Sequence, residues 1–512
     1  MRNLKSLFVA AIFLSVGVLF ADTNMLHIAT SVATTSGMEP PVGNYAVPEA
    51  ITCTAPTSVD TNSIRYTCTG YTLETYADGV WSLQETVADS TSFNCPADGT
   101  PRRITWQWEA THFKVTIQLV PADSGSVTVD PALPEDGYCV KGTKLTLTAT
   151  PNEGREHIGW ATASAGYYTS QFSTTVNAAQ TIKVGMAGKW TYSGKTLANG
   201  VWSLKVDGGQ MVSYYSGFGK LDLSDVYSDT GIKITSTYQT IFQNNKMIKF
   251  LIAPDLTSMG QRSFQGSGLQ DARVSEKCSK INTYCFRDAT SLTNFEPKVS
   301  SNLKQISSDA FRSCENLVGD FYYPNLTYVG DSSFFETKIT SINFPSLTSV
   351  GISAFNTCSS LTNAVIAGSS IGISAFQNCS KLNNIHFTYS GSTPLPKWIF
   401  RAVPSSLKVW YHGLKAPTSI HNEAFNPRNS NKPFTRIYIK NAADEANWLK
   451  LANYLLKPGE TGKPELNASY KDDADYPGRT RTIGLRYDTS LNSKPVWFVK
   501  WPVGQFSFFT VH

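Results

Sequence analysis

Large apolar side chains in the second half of the chain return at a fixed distance, not at the short periods of a helix or a single long strand. Phe242, Phe264, Phe286, Phe311, Phe334, Phe355, Phe376, Phe400 and Phe425 are separated by 22, 22, 25, 23, 21, 21, 24 and 25 residues. Most are followed five to seven positions later by an aliphatic residue: Leu269, Leu292, Leu317, Ile339, Leu361, Leu382 and Leu407. That residue opens a short run with further apolar positions, such as 339–344, 361–366 and 382–387. A third column, Met259, Ile281, Ile306, Val329 and Val350, precedes the phenylalanines. One turn of about 23 residues cannot close its own apolar side, so three columns at one period predict stacked turns around a continuous core. Short parallel strands are expected on one side and irregular or short helical turns carrying Ser-Ala-Phe on the other. The uneven spacings belong in loops, where an extra residue costs little.

Ahead of the array the pattern is that of short strands. Residues 50–53, 64–68, 80–83, 92–94 and 103–108 alternate or run apolar, and Ile104-Thr105-Trp106-Gln107-Trp108 sets two indoles on one face. Such a pair can hold a sugar, although core packing is the commoner use of strand tryptophan. Phe113, Val115, Ile117 and Leu119 begin another alternating unit that passes through a Ser124-Gly125 turn, a strand at 144–149 and the Pro151-Asn152-Glu153-Gly154 turn. Strands of about five residues between Gly, Pro and Asn turns predict a small β-sandwich. The expected fold class is mainly β: sandwich modules, then a solenoid, then a cap. The expected division is 1–21 leader, 22–44 linker, 45–112 and 113–187 β modules, 188–229 strand-rich lead-in, 230–430 repeats and 431–512 cap. Within the cap, Asn441 can start a helix over 442–456 that ends at Pro458-Gly459, and strands return through Trp497-Phe498-Val499-Lys500-Trp501.

Composition narrows the class. The 512 residues are 16% charged and 12% aromatic, with 41% hydrophobic. That is enough apolar material to exclude wholesale disorder. A net charge of +5, with 44 basic and 39 acidic residues interspersed, leaves no basic patch for a nucleic acid. Arg2 and Lys5 precede an apolar or small run over 7–20, which reads as a secretory leader cut near Ala21. The alternative is a membrane anchor, but 14 residues of helix are short for a bilayer. No later run approaches 18 apolar residues, so no transmembrane segment is expected in the mature chain. Nine cysteines are an odd number for an exported chain, and none has metal-ligand spacing. A Cys53–Cys68 disulfide is expected, because both lie in strand-like runs joined by a turn-rich stretch. Cys314, Cys358 and Cys379 share a register three residues after their phenylalanine, which suits a buried stack.

Two stretches resemble known families. Residues such as Val350-Gly351-Ile352-Ser353-Ala354-Phe355-Asn356-Thr357-Cys358-Ser359-Ser360-Leu361 and their counterparts at 371–382 resemble BspA-like (Treponema-type) leucine-rich repeats over about 230–427. The Gly-Thr-x-Leu-Thr-Leu-x-Ala strand at 142–149, the 151–154 turn and Gly159-Trp160 resemble bacterial Ig-like, divergent InlB B-repeat modules of exported proteins. Cys68-Thr69-Gly70-Tyr71, with the Trp106 strand, is similar to a companion surface module, with Tyr71 where tryptophan is usual. These resemblances imply a secreted or cell-surface bacterial protein on the envelope exterior, with stalk-like modules and repeats linked to adhesion. They carry over no catalytic residue.

Chemistry is sparse in the sequence itself. There is no HExxH pair, G-x-S-x-G elbow, P-loop or dinucleotide fingerprint. Asp222, Asp225 and Asp229, and Asp472, Asp473 and Asp475, could offer oxygens to calcium but lack the full loop spacing. The facing of His386 is open, since an inward Leu382 breaks its alternation, and Trp410 and Tyr411 could line a binding surface or pack. The expectation is a non-enzymatic protein without cofactor or metal, whose repeat surface takes an unknown protein or glycan. A purely structural envelope component is the alternative, and an uncharacterised secreted hydrolase the remote one.

Overall fold

Each turn of the array is closed against its neighbours by three hydrogen-bonded ladders. The computed structural model describes residues 49–388 without a break, together with 25–31, 38–39, 43–47, 394–404, 406–411, 424, 436–439, 482–484 and 497–500. In the first ladder, strands Gly219–Asp222, Ile248–Ala253, Asp271–Val274 and Asn294–Glu296 run parallel in one sheet. Val318–Tyr322, Lys338–Phe344, Asn363–Ile366, Asn384–Phe387, Lys408–Tyr411 and Arg436–Ile439 run parallel in the next, which Trp497–Lys500 and Thr482–Gly484 extend. The second ladder has two residues per turn: Lys280–Ile281, Gln305–Ile306, Tyr328–Val329, Ser349–Val350 and Ser370–Ile371, all parallel and in register.

The third ladder runs through the phenylalanines. The N–H of each repeat phenylalanine donates to the carbonyl just before the next one: Phe311 to Ser333, Phe334 to Ala354 and Phe355 to Ala375, each at 2.8 Å. The residues two before and two after are left-handed, as at Ser353 (φ 55°), Thr357 (62°), Ser374 (61°) and Asn378 (61°). Side chains there cost energy that the inter-turn hydrogen bonds offset. Turns stack so closely that a Cβ on Gly351 would lie 2.3 Å from the Asp331 nitrogen. The glycine is set by proximity to the preceding turn.

The chain divides into two units, residues 1–118, 127–149 and 171–182, and residues 119–126, 150–170 and 183–512. In the second, one apolar core extends from Ile158 to Ala424 and takes in Trp190, Leu197, Trp202, Leu204, Val206 and Met211. The strand Glu156–Ala161 lies against Gly219–Asp222 at a glycine-to-glycine approach: a Cβ on Gly219 would fall 2.0 Å from the Ile158 carbonyl oxygen and 3.0 Å from the Cα of Gly159. Trp202 is fully buried and its indole N–H donates to the Lys220 carbonyl at 2.8 Å. Tyr214 stacks on Phe242 at 5.4 Å, so the first phenylalanine is covered from residues that precede the repeats. An open end of the array would otherwise expose this apolar column to water.

The first unit holds a smaller core of Leu26, Ile28, Tyr71, Phe93, Ile104 and Trp106. Ile64–Ala77 pairs antiparallel with both Val80–Ala88 and Arg102–Val120. The 19-residue strand Arg102–Val120 passes without interruption through residues 112 and 113. The Cys53–Cys68 disulfide is not formed, and both thiols are free. The expected hairpin between their strands gives way to a tighter one: Asn62 and Ser63, with φ of 51° and 62°, turn Ser58–Thr61 directly onto Ile64, the two-residue geometry that hairpins prefer. Ile51–Thr54 therefore pairs with Ser92–Cys95, where Cys53 faces Phe93, while Cys68 lies opposite Trp108.

The leader over 1–21, the helix over 442–456, Phe425 and the 472–475 aspartates lie outside the described residues. A fragment of residues 230–430 lacks the side chains that cover Phe242 and should aggregate on size-exclusion chromatography and lose near-ultraviolet dichroism, whereas the full chain stays monodisperse. Gly351→Ala should lower stability by about 1–3 kcal/mol in urea unfolding, because the added methyl meets backbone that cannot move aside.

A candidate binding face on the parallel strands

The repeat phenylalanines are wholly structural in their placement. Phe242 to Phe400 are at most 2% exposed. Their rings form one offset stack, with centroids 5.5, 5.2, 5.3, 5.3, 5.4, 5.1 and 6.2 Å apart and planes within 23° of parallel. Offset stacking is favourable where a face-to-face sandwich is not. Leu269, Leu292, Leu317, Ile339, Leu361, Leu382 and Leu407 are fully buried beside them.

The cysteines of the array serve the same interior. The thiol of Cys314 donates to the Phe286 carbonyl at 3.0 Å, Cys358 to Phe334 at 3.1 Å and Cys379 to Phe355 at 3.0 Å. Burial pushes the Cys314 and Cys379 thiols well up, so they stay protonated and unreactive. Thr337 takes the register between Cys314 and Cys358, with its hydroxyl 3.3 Å from the Cys358 sulfur.

What remains for contact with other molecules is the outward side of the long strands. Alternation sends Ile342 and Phe344, Ala364 and Ile366, Ile385 and Phe387 into the core, and leaves Ser341 and Asn343, Asn363 and Val365, Asn384 and His386 half-buried on the other face. Parallel register aligns them into two rows. One is Asp320, Ser341, Asn363, Asn384 and Lys408; the other is Tyr322, Asn343, Val365, His386 and Trp410. The parallel strands of the earlier sheet carry charges instead: Asp271, buried, beside Asn294, and Arg273 beside Glu296. Arg273 pairs with Asp271 at 3.2 Å, and Asn294 donates to the same carboxylate at 3.1 Å. Asp320 accepts from Thr340 at 2.6 Å and Ser341 at 2.7 Å.

His386 thus points outward: the run from Leu382 contains a non-alternating turn before the strand begins at Asn384. Its ring stacks on Trp410 at 5.6 Å and 12°, and Trp410 is 4% exposed with its indole N–H 3.3 Å from the Asn384 side-chain oxygen. Packing accounts for Trp106 as well, which is fully buried, with Trp108 packed partly against the same core. Asp222 accepts from the Ser224 N–H and Asp229 from the Trp190 N–H. Among the described residues no group of three or more His, Cys, Asp or Glu could hold a metal ion. The outward rows were hard to pick out in the sequence because asparagine and serine are also the residues of its turns; their signal is position relative to the apolar columns.

Phe355→Ala should destabilise the chain by about 3–5 kcal/mol, while outward Asn343→Ala should change stability by no more than about 0.5 kcal/mol in the same urea titration. All nine cysteines should alkylate in denaturant without reductant; a linked Cys53–Cys68 peptide in the mass spectrum would contradict the free thiols. Burial, and then the neighbouring Cys95, push Cys53 up to about 11. An unfolded thiol ionises near about 8.5, so this residue makes stability fall as pH rises from there towards its folded value.

Comparison with known proteins places both repeated parts. The BspA type leucine rich repeat region is matched in six copies over residues 235–362, 288–405 and 348–442, and the divergent InlB B-repeat domain over 115–187. No curated protein matches. Among solved structures, a leucine rich repeat protein of T. pallidum is 16% identical, covering 54% of this chain and 98% of its own, with a TM-score of 0.24. A leucine-rich repeat protein from Bacteroides ovatus is 15% identical over 49% of this chain and 82% of its own, and the pneumococcal vaccine antigen PcpA 12% identical over 52% and 96%, each with a TM-score of 0.24. The stacked phenylalanine turns coincide with the matched region: the chain carries BspA type leucine-rich repeats over residues 235–442, with a divergent InlB B-repeat domain ahead of them at 115–187.

Proposed function

We propose that this protein is an exported, non-enzymatic binding protein whose parallel-strand face engages a protein or glycan at the bacterial surface, in adhesion. The observation that carries this reading is the pair of outward rows: polar side chains in fixed register over successive turns, supported by a core that does not depend on their identity. A rigid repeated scaffold with variable outward positions is suited to recognition. The BspA type repeats and the B-repeat domain support a location outside the cell, as does the leader-like sequence at 7–20. No helix among the described residues is long and apolar enough to cross a membrane.

The test uses the full chain, since residues before 230 cover the first turn. Immobilised protein should show saturable binding to a matrix protein, a glycan or the producer's own envelope, and the signal should fall at least tenfold on substituting outward residues such as Asn384. Absence of saturable binding to all three would favour a purely structural envelope component.

A further inference from the structure

The outward strand face is not uniform, and its central part has a chemistry of its own. Past Lys338, the strands Lys338–Phe344, Asn363–Ile366 and Asn384–Phe387 contain no charged residue; Asp320 and Lys408 stand in register at the two borders of this part, and Asp271, Arg273 and Glu296 occupy the earlier strands. Within this neutral part the amides form a directed chain. The Trp410 indole N–H donates to Asn384 Oδ1 at 3.3 Å, Asn384 Nδ2 to Asn363 Oδ1 at 3.0 Å, Asn363 Nδ2 to Thr362 Oγ1 at 3.0 Å, and Thr362 Oγ1 to the Thr340 carbonyl at 3.0 Å.

An amide has two N–H donors and an oxygen with two lone pairs. Asn363 and Asn384 each commit one donor and one lone pair to the chain, which leaves one of each per turn. Successive turns repeat this pair at the strand spacing of about 4.8 Å. Fixed in advance by their neighbours, these amides lose little freedom when a ligand arrives. Asn343 lies in the adjacent row and Val365 beside it offers an apolar contact.

Resting on the reading of this face as the binding surface, we propose that its central part, formed by Ser341, Asn343, Asn363, Val365, Asn384 and His386, binds an uncharged, hydroxyl-rich polysaccharide. A hydroxyl both donates and accepts, and so matches a row of amide donor and acceptor pairs in either direction. Acidic polysaccharides and nucleic acids need clustered cations; Lys338 and Lys408 border this part, and its six residues carry none. Protein hot spots are enriched in tryptophan, tyrosine and arginine, whereas this patch is asparagine, serine and valine, with His386 stacked on the buried Trp410 at its edge.

The experiment is affinity electrophoresis of the full-length protein through gels containing soluble β-glucan, mannan or galactan, with polygalacturonate and heparin as acidic counterparts. Retardation by at least one neutral polysaccharide, unchanged when salt rises about tenfold, supports the proposal. Asn363→Asp and Asn384→Ala should each weaken that retardation at least tenfold with the urea midpoint unchanged, while Arg273→Ala leaves it intact. Retardation only by the acidic polymers overturns the proposal, as does neutral binding that both asparagine variants retain. Saturable protein binding that Asn384→Ala abolishes, with no polysaccharide bound, overturns it while leaving the strand face as the binding surface. Binding to neither class removes both readings.

Discussion

The stack of phenylalanine rings is the constraint on which the rest of this protein depends. Each ring lies 5.1–6.2 Å from the next and is excluded from water only because another turn lies on either side. No turn is stable alone, since its apolar side is covered only by its neighbours. The left-handed residues that flank each phenylalanine follow from this. They bend the backbone so that the ring points inward while its N–H reaches the adjacent turn, and the interlocked hydrogen bonds hold conformations that an isolated loop would avoid.

The same dependence explains how the array begins. A stack of rings has two ends, and the first ring, Phe242, meets Tyr214 and Trp202. Those residues belong to strand-rich sequence that has no 23-residue period, and its core is continuous with that of the repeats back to Ile158. The glycines at 159 and 219 allow two backbones to approach where any side chain would separate them. Amino-terminal strands thus do for the first turn what each later turn does for the one before it.

Separating the demands of stability from those of recognition is the functional consequence. Inward positions are fixed by volume and must remain apolar. Outward positions on the strands meet their counterparts one turn away, so they can change chemistry along the array, from charged at Arg273 and Glu296 to neutral at Asn363 and Asn384, without disturbing the core. The cysteines illustrate the inward rule: sulfur fills a small apolar space and its proton satisfies a carbonyl of the preceding turn.

Sequence by itself determined the period, the identity of the three apolar columns and the parallel ladder, because a side chain that must be buried once per turn leaves a mark at that interval. It also marked the B-repeat turn and the strand with Trp106. It did not determine which strands would pair where no period existed: Cys53 and Cys68 sit in neighbouring runs, yet a two-residue turn at Asn62 and Ser63 sends their strands to different partners. The outward facing of His386, its stack on Trp410 and the directed chain of asparagine amides also required the tertiary structure. Burial is a property of one residue type and can be read along the chain, but pairing and polar contact join residues tens of positions apart and depend on where the backbone brings them.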